Sequence, residues 1–252
     1  MKFLRETRLI FARNFTRTMR NPMWLIIGLI QPILYLLLFA PLLDGIKIPL
    51  FSQSSSINTF TPGLLIMIAV SSMTFSGSSL LPDLRDGVIE RFRVTPANRL
   101  AILLGMLLVD VVVFLAQCLV LIVMATLMGL RADLGGLVIL FGLLMLVALG
   151  LGSFSYAISL IVKDQSTLAA IASSLILPVT LLSGVLLPLS LAPKLLQTIA
   201  DINPYSHTVA AARALISGQL GDSSVVLAFA LMAGLAVLLL LWVTRIFKQA
   251  TA

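Results

Sequence analysis

Charge is what this 252-residue chain has least of: Asp, Glu, Lys and Arg make up 11% of it, against 60% hydrophobic residues. That excludes a soluble domain, which needs a charged surface this composition does not supply, and leaves a lipid bilayer as the fitting solvent. A single cysteine, Cys118 in an apolar stretch, excludes an intramolecular disulfide. A single histidine, His207, stands without a ligand set of Cys, Asp or Glu around it and is read as a packed outer-surface residue, not a metal ligand. No Gly-x-x-x-x-Gly-Lys-Ser/Thr loop occurs, so no phosphate-binding loop for ATP is present, and neither His-Glu-x-x-His nor Gly-x-Ser-x-Gly is found. The net charge of +7 comes without a basic run interleaved with aromatics, so no nucleic-acid partner is expected. No internal repeat or low-complexity linker divides the chain, which reads as one domain over 1–252.

What is abundant is long apolar sequence. A spanning helix needs about 20 mostly apolar residues, and such runs predict helices near 23–43, 60–81, 101–129, 135–162, 167–188 and 223–244. The fold class expected is therefore all-α integral membrane with six spans, since barrel strands would be about ten residues long with alternating polarity. The first run follows a long charged arm with no small-x-small cleavage site and is expected to be a retained helix. Thirteen of the seventeen lysines and arginines fall on one side of this arrangement, in the amino-terminal arm, the second-to-third and fourth-to-fifth connections and the carboxyl terminus. That bias puts both termini in the cytoplasm of a plasma-membrane, multi-pass chain.

Residues 3–20 read as an amphipathic, interfacial helix that ends at Asn21-Pro22. Leu4, Phe11, Phe15 and Met19 share one face, Glu6, Arg13, Arg17 and Arg20 lie opposite, and Arg8 interrupts the apolar stripe. Asp110 stands about ten residues inside the third span. A carboxylate at the bilayer centre costs about 2.5–3.5 kcal/mol on insertion scales, so it must face protein or water. It is either a site of cation recognition or conformational coupling, or a residue near the interface that accepts an interhelical hydrogen bond. The second span carries Ser71, Ser72, Thr74, Ser76, Ser78 and Ser79 around Phe75, small hydroxyl residues suited to close helix packing or to a polar lining. Gln31 and Tyr35, four apart in the first span, form a second polar pair on one face. The ten methionines read as flexible filling.

Two connections carry motifs. In 82–99, Asp86-Gly87, Glu90-Arg91-Phe92-Arg93 and Thr95-Pro96 describe a short charged helix with Val88, Ile89 and Phe92 on its apolar side, suited to docking in a protein groove. Between the fifth and sixth spans, Ser183-Gly184 and Pro188 interrupt the helix. A short amphipathic segment follows over 194–201. Asn203 then caps, and Pro204 opens, a helix to about Ser217 that Gly218 terminates.

These two stretches resemble the signatures of type-2 ABC permeases. The first looks most like the daunorubicin-resistance-type drug exporters, whose motif has an acidic residue, a glycine, Arg-Phe-Arg and a proline; here Gly87-Val88 replaces the Gly-Thr of many members. The resemblance implies that Asp86, Gly87, Ile89, Glu90, Arg91, Phe92 and Arg93 form a cytoplasmic coupling helix for an ATPase subunit. It implies that 183–222 re-enters the outer leaflet, with Ser183, Gly184, Pro188, Asn203 and Pro204 at an outer gate. It places the second span beside the translocation path, making Ser72, Phe75, Ser76, Gln31, Tyr35, Asp110 and Thr180 its candidate lining. It further implies two permease copies, as homodimer or related heterodimer, with two ATPase copies that bind the ATP and Mg, and a prokaryotic source. The permease itself performs no covalent chemistry, and a drug-like or amphipathic lipid-like substrate is expected to leave the cell by alternating access. The alternatives are export of a lipid or lipid-linked polysaccharide, an intramembrane enzyme built on Asp110 and His207, or a secondary transporter, which usually shows an inverted repeat.

Overall fold

The computed structural model describes residues 2–20, 23–45, 56–86, 99–184 and 193–250, all of the regular structure in them helical. The chain runs through α1 (Lys2–Met19), α2 (Met23–Gly45) and α3 (Ser56–Thr74), then a 3-10 turn (Ser76–Ser79) and α4 (Leu80–Arg85). It continues through α5 (Arg99–Leu127), α6 (Leu134–Val162), α7 (Gln165–Leu182), α8 (Lys194–Ile202), α9 (Pro204–Ile216) and α10 (Ser223–Ala250). Five stretches among the described residues are long and apolar enough to cross a membrane: Ile57–Arg85, Leu100–Leu127, Leu134–Val162, Gln165–Leu182 and Ser223–Gln249. The sixth expected span falls on α2, a helix of 23 residues whose described apolar part is the shorter Ile26–Leu38.

The core is built where α3, α5 and α6 meet, around Leu64, Leu65, Met73, Leu107, Phe114 and Leu144, all essentially without exposure. α10 packs along α6, and α2 along α3 and α5. The outer faces are as apolar as the core. Ile26, Ile30, Leu34 and Leu38 on α2, Leu177 and Leu181 on α7, and Val226, Val237, Leu238 and Leu241 on α10 are all exposed. Helices greasy on both faces belong in lipid, because in water such a surface would drive aggregation.

The amino-terminal helix forms over nearly the expected residues, but a different face is buried. Leu4 is 72% exposed and Met19 41%, and Phe11 and Phe15 stack on each other at 5.6 Å while remaining half-buried. The face turned into the bundle carries Ile10 and Asn14. α1 crosses α5 at Gly105, where a β-carbon would stand 2.9 Å from Ile10 and 3.0 Å from the Thr7 carbonyl. Neighbouring helix surface, not the helix's own apolar periodicity, selects the face.

The second expected span is not one continuous helix. It starts earlier, at Ser56, breaks after Thr74 into the 3-10 turn, and resumes to Arg85. Ser155 of α6 stitches the break: its hydroxyl donates to the Thr74 carbonyl at 2.6 Å and accepts from the Gly77 amide at 2.9 Å. Both backbone groups freed by the interruption thereby find a partner away from water. The fifth span also differs, ending at Leu182 instead of continuing to 188, with Gly184 at φ +67° in the left-handed region that closes a helix. Asn203 accepts from the Tyr205 amide at 3.0 Å as the cap of α9, and Gly218 follows that helix at φ +78°. Asp164 caps α7, where the Ser166 hydroxyl and the Thr167 amide and hydroxyl hold its carboxyl down at about 2. The stabilisation from that cap is present above the ordinary carboxylate range and is lost only as pH falls through about 2.

Candidate functional site

The two ends of the bundle are chemically distinct. At one end α1 is held by Asp83, a first-turn carboxylate of α4. Asp83 is buried and accepts from Arg17 at 2.9 Å and from Arg13 at 3.4 Å. Arg85 reaches Asp164 at 3.9 Å, joining α4 to the start of α7. At the opposite end Arg213 of α9 donates to the Gly184 carbonyl at 2.9 Å and to the Thr59 carbonyl at 3.3 Å. Gly136 allows α9 to lie against α6 there, since a β-carbon on it would meet the Leu215 carbonyl oxygen at 1.9 Å. Replacing Arg213 by alanine removes both of these hydrogen bonds. A loss of about 2 kcal/mol is expected, read as a lower denaturation midpoint of the purified chain in detergent, with Ser217→Ala on the same helix end nearly silent.

Between the ends lies a polar track. A cavity of about 260 Å³ opens beside α1 and is lined by Asn14, Ser76, Ser79, Phe75, Asp110 and Tyr156, among others. Tyr156 of α6 donates to Asp110 Oδ2 at 2.8 Å, and Ser79 Oγ lies 3.0 Å from the Tyr156 hydroxyl and 3.5 Å from Asp110. Asp110 therefore does accept an interhelical hydrogen bond, and it also faces a cavity. A second cavity of about 160 Å³ lies between α2, α3 and α5, lined by Gln31, Ser71 and Gln117. Ser72 and Phe75 line both cavities, so the two adjoin there.

Of the residues expected along a path, Ser72, Phe75, Ser76 and Asp110 meet at the first cavity and Gln31 at the second. Tyr35 accepts from Gln31 at 3.4 Å. Thr180 is elsewhere, on α7, with its hydroxyl donating to the Ile176 carbonyl at 2.7 Å. Most hydroxyls of α3 and the following turn bond back to their own helix, Ser71 to Met67 and Ser76 to Met73, as packing residues do. At the outer-gate candidates, Ser183 donates to Thr180, while Gly184, Asn203 and Pro204 stand at helix ends. Pro188 lies outside the described residues. Of the coupling candidates Asp86 closes α4 as an exposed residue, and Gly87, Ile89, Glu90, Arg91, Phe92 and Arg93 lie outside the described residues. His207 contacts the Asp201 carbonyl oxygen at 2.9 Å, at the Arg213 end and away from Asp110; no metal-binding cluster occurs among the described residues.

Several lining residues escaped sequence reasoning. Tyr156 sits within Ser153-Phe154-Ser155-Tyr156, a polar interruption of an apolar run. Gln117 falls seven residues after Asp110, two helical turns along the same face. Asn14 looked like one polar residue among many in the arm.

The profile of a family described as "ABC-2 type transporter" matches residues 5–217, taking in the arm, both cavities and both connecting motifs. The chain belongs to the ABC-2 type transporter family. This ABC-2 chain is 28% identical over 236 residues to the daunorubicin resistance ABC transporter permease protein DrrB1 of Streptomyces coeruleorubidus, covering 92% of the chain and 82% of that protein. It is 30% identical over 217 residues to the putative transport permease ycf38 of Pyropia yezoensis, and 28% over 218 residues to that of Cyanophora paradoxa. Each of those alignments covers 85% of the chain and 75% of the relative. The family read from residues 86–96 and 182–215 is the one the profile finds. The ABC-2 chain is a multi-pass membrane permease, and members of its family normally work with an ATPase subunit.

Proposed function

We propose that this chain is the six-span membrane subunit of an ATP-driven exporter, with both termini cytoplasmic and ATP and Mg bound by a separate ATPase. The observation that carries the reading is the family match over 5–217 in a bundle whose interior holds polar cavities beside a helix break. The basic bias of the sequence puts α1, Asp83 and Arg85 at the cytoplasmic end, with α1 lying in the inner interface and its exposed Leu4 and Met19 in lipid. α8 and α9 then cap the outer end as the re-entrant segment, closed by the Arg213 contacts. The segment after Asp86 serves as the coupling helix, two permease copies assemble on two ATPases, and the polar track beside Phe75 carries the substrate. A drug-like or amphipathic substrate is favoured by the Streptomyces relative, itself named for daunorubicin resistance. The prokaryotic plasma membrane is the location we propose.

The test is assembly with the ATPase. Phe92→Ala is expected to lower recovery of the ATPase in pull-down by about tenfold, as loss of a buried aromatic anchor does. Glu90→Ala is expected to lower efflux more than membrane abundance. Gly87→Pro should be worse than either, and Asn98→Ala nearly silent. The purified permease alone should hydrolyse no ATP. Full assembly and full efflux in the Phe92 and Glu90 variants would reduce the connection to a solvated loop, and robust hydrolysis by the isolated chain would sink the exporter reading.

A further inference from the structure

An intramembrane carboxylate with no cation opposite it is an unfinished site. Asp110 lies within α5, and its partners are the Tyr156 and Ser79 hydroxyls; no ion pair reaches it among the described residues. Arg17, the basic residue on the wall of the same cavity, is turned to Asp83 at 2.9 Å, a carboxylate it shares with Arg13. Asp110 is the carboxyl on that wall that no arginine or lysine reaches among the described residues. Around it the lining is amphipathic: Met106, Val109 and Val113 supply apolar wall, and the Phe75 and Tyr156 rings stand on the same cavity. An aromatic face attracts a cation, most strongly where water is excluded. A second unfinished group lies across the cavity. Asn14 of α1 is 8% exposed, and its Nδ2 has no hydrogen-bond partner. Leaving a buried amide donor without an acceptor is unfavourable, and an acceptor oxygen on a ligand would supply the missing partner.

We propose that this cavity is an entry site for an amphipathic ammonium compound, whose cationic nitrogen sits against Asp110 and the Phe75 and Tyr156 rings while an oxygen near the amine accepts from Asn14. The proposal rests on the exporter reading and names the substrate class at the inner end of its path. An ammonium group reaches such a site either as a free hydrophobic amine or as a lipid headgroup, and the same chemistry recognises both. Ser72 and Phe75, shared with the second cavity, give the bound molecule its next contact toward Gln31 and Gln117.

The experiment is equilibrium binding of tritiated benzyltrimethylammonium to the purified full-length permease in nanodiscs of phosphatidylglycerol. Its neutral carbon isostere, neopentylbenzene, is the competitor. Saturable binding that the isostere displaces poorly is expected. Asp110→Asn keeps the size and an acceptor for Tyr156, and should weaken binding by about tenfold or more. Asp110→Glu should restore most of it. Tyr156→Phe, which keeps the ring and removes the donor competing for the carboxylate, should bind at least as tightly as the unaltered chain. No saturable binding, equal affinity in the unaltered chain and Asp110→Asn, or equal displacement by the isostere would each overturn the site. Adding phosphatidylethanolamine to the discs separates the sources: loss of probe binding identifies the lipid headgroup as the occupant, and unchanged binding a free amine. A permease that recruits its ATPase but shows no charge-dependent binding refutes the ammonium site alone. Charge-dependent binding in a chain that recruits no ATPase leaves the site standing and removes the exporter reading.

Discussion

Gly77→Val is expected to destabilise the permease by about 3 kcal/mol, an overpacking cost at the upper end of the usual range. The backbone break in the second span brings Gly77 so close to α6 that a β-carbon would stand 2.4 Å from the Ser155 carbonyl oxygen. The nearest backbone cannot move without disturbing Ser155, whose hydroxyl satisfies both sides of the break. The added carbons therefore force the helices apart and also cost the Gly77 amide its partner. Alanine should produce most of the effect, since the first carbon already meets backbone. The measurement is the denaturation midpoint in detergent of Gly77→Ala and Gly77→Val, with Gly234→Ala on α10 as the control. Nothing lies within 4 Å of the position of a β-carbon on Gly234, so that change should be neutral or mildly stabilising. Equal midpoints for all three would mean that α3 and α6 separate easily and that the break is not clamped.

Removing both arginines that hold Asp83 should cost more than removing Asp83. The carboxylate side chain is 6% exposed, whereas those of Arg13 and Arg17 are 49% and 57% exposed. Arg13→Ala with Arg17→Ala leaves a buried charge uncompensated, a change of about 3 kcal/mol. Asp83→Asn leaves two half-exposed guanidinium groups that water can solvate, and should cost about 1 kcal/mol or less. The readout that isolates this contact is the rate of thiol labelling of a cysteine placed at Ile10, where α1 crosses α5, in a Cys118→Ser background. The double arginine variant should speed labelling, and Asp83→Asn should speed it less. The reverse order would show that the arginines serve lipid, with Asp83 stabilised by other means. Because α4 leads directly into the proposed coupling segment, detaching α1 should also lower efflux at equal membrane abundance.

Both effects fall on residues whose sequence context pointed elsewhere. Asp83 stood among the charged residues of a connection, and Gly77 among the small residues of a serine-rich helix. The sequence placed Asp110 inside a span and required it to face protein or water, but Tyr156, its hydrogen-bond donor, comes from another helix 46 residues away. The arm shows the same limit. Its apolar stripe through Leu4 and Phe11 was legible, yet the buried face carries Ile10 and Asn14, because α5 presents Gly105 to that side.

The sequence by itself determined the solvent, the helical class and the family. Run length and composition are properties along the chain, and a bilayer admits few backbones that satisfy every amide internally. It also determined the local endings: Asn203 before Pro204 and Gly218 after α9 act within a turn or two of their own backbone. Only the tertiary structure decided which face each helix turns inward, where the second span breaks, and which polar groups share a cavity. Those outcomes depend on the rotation of each helix about its axis, and that rotation is set by the shape of its neighbours: Gly105 admitting Ile10, Ser155 bridging Thr74 and Gly77, and Asp83 drawing Arg13 and Arg17 onto the end of the bundle.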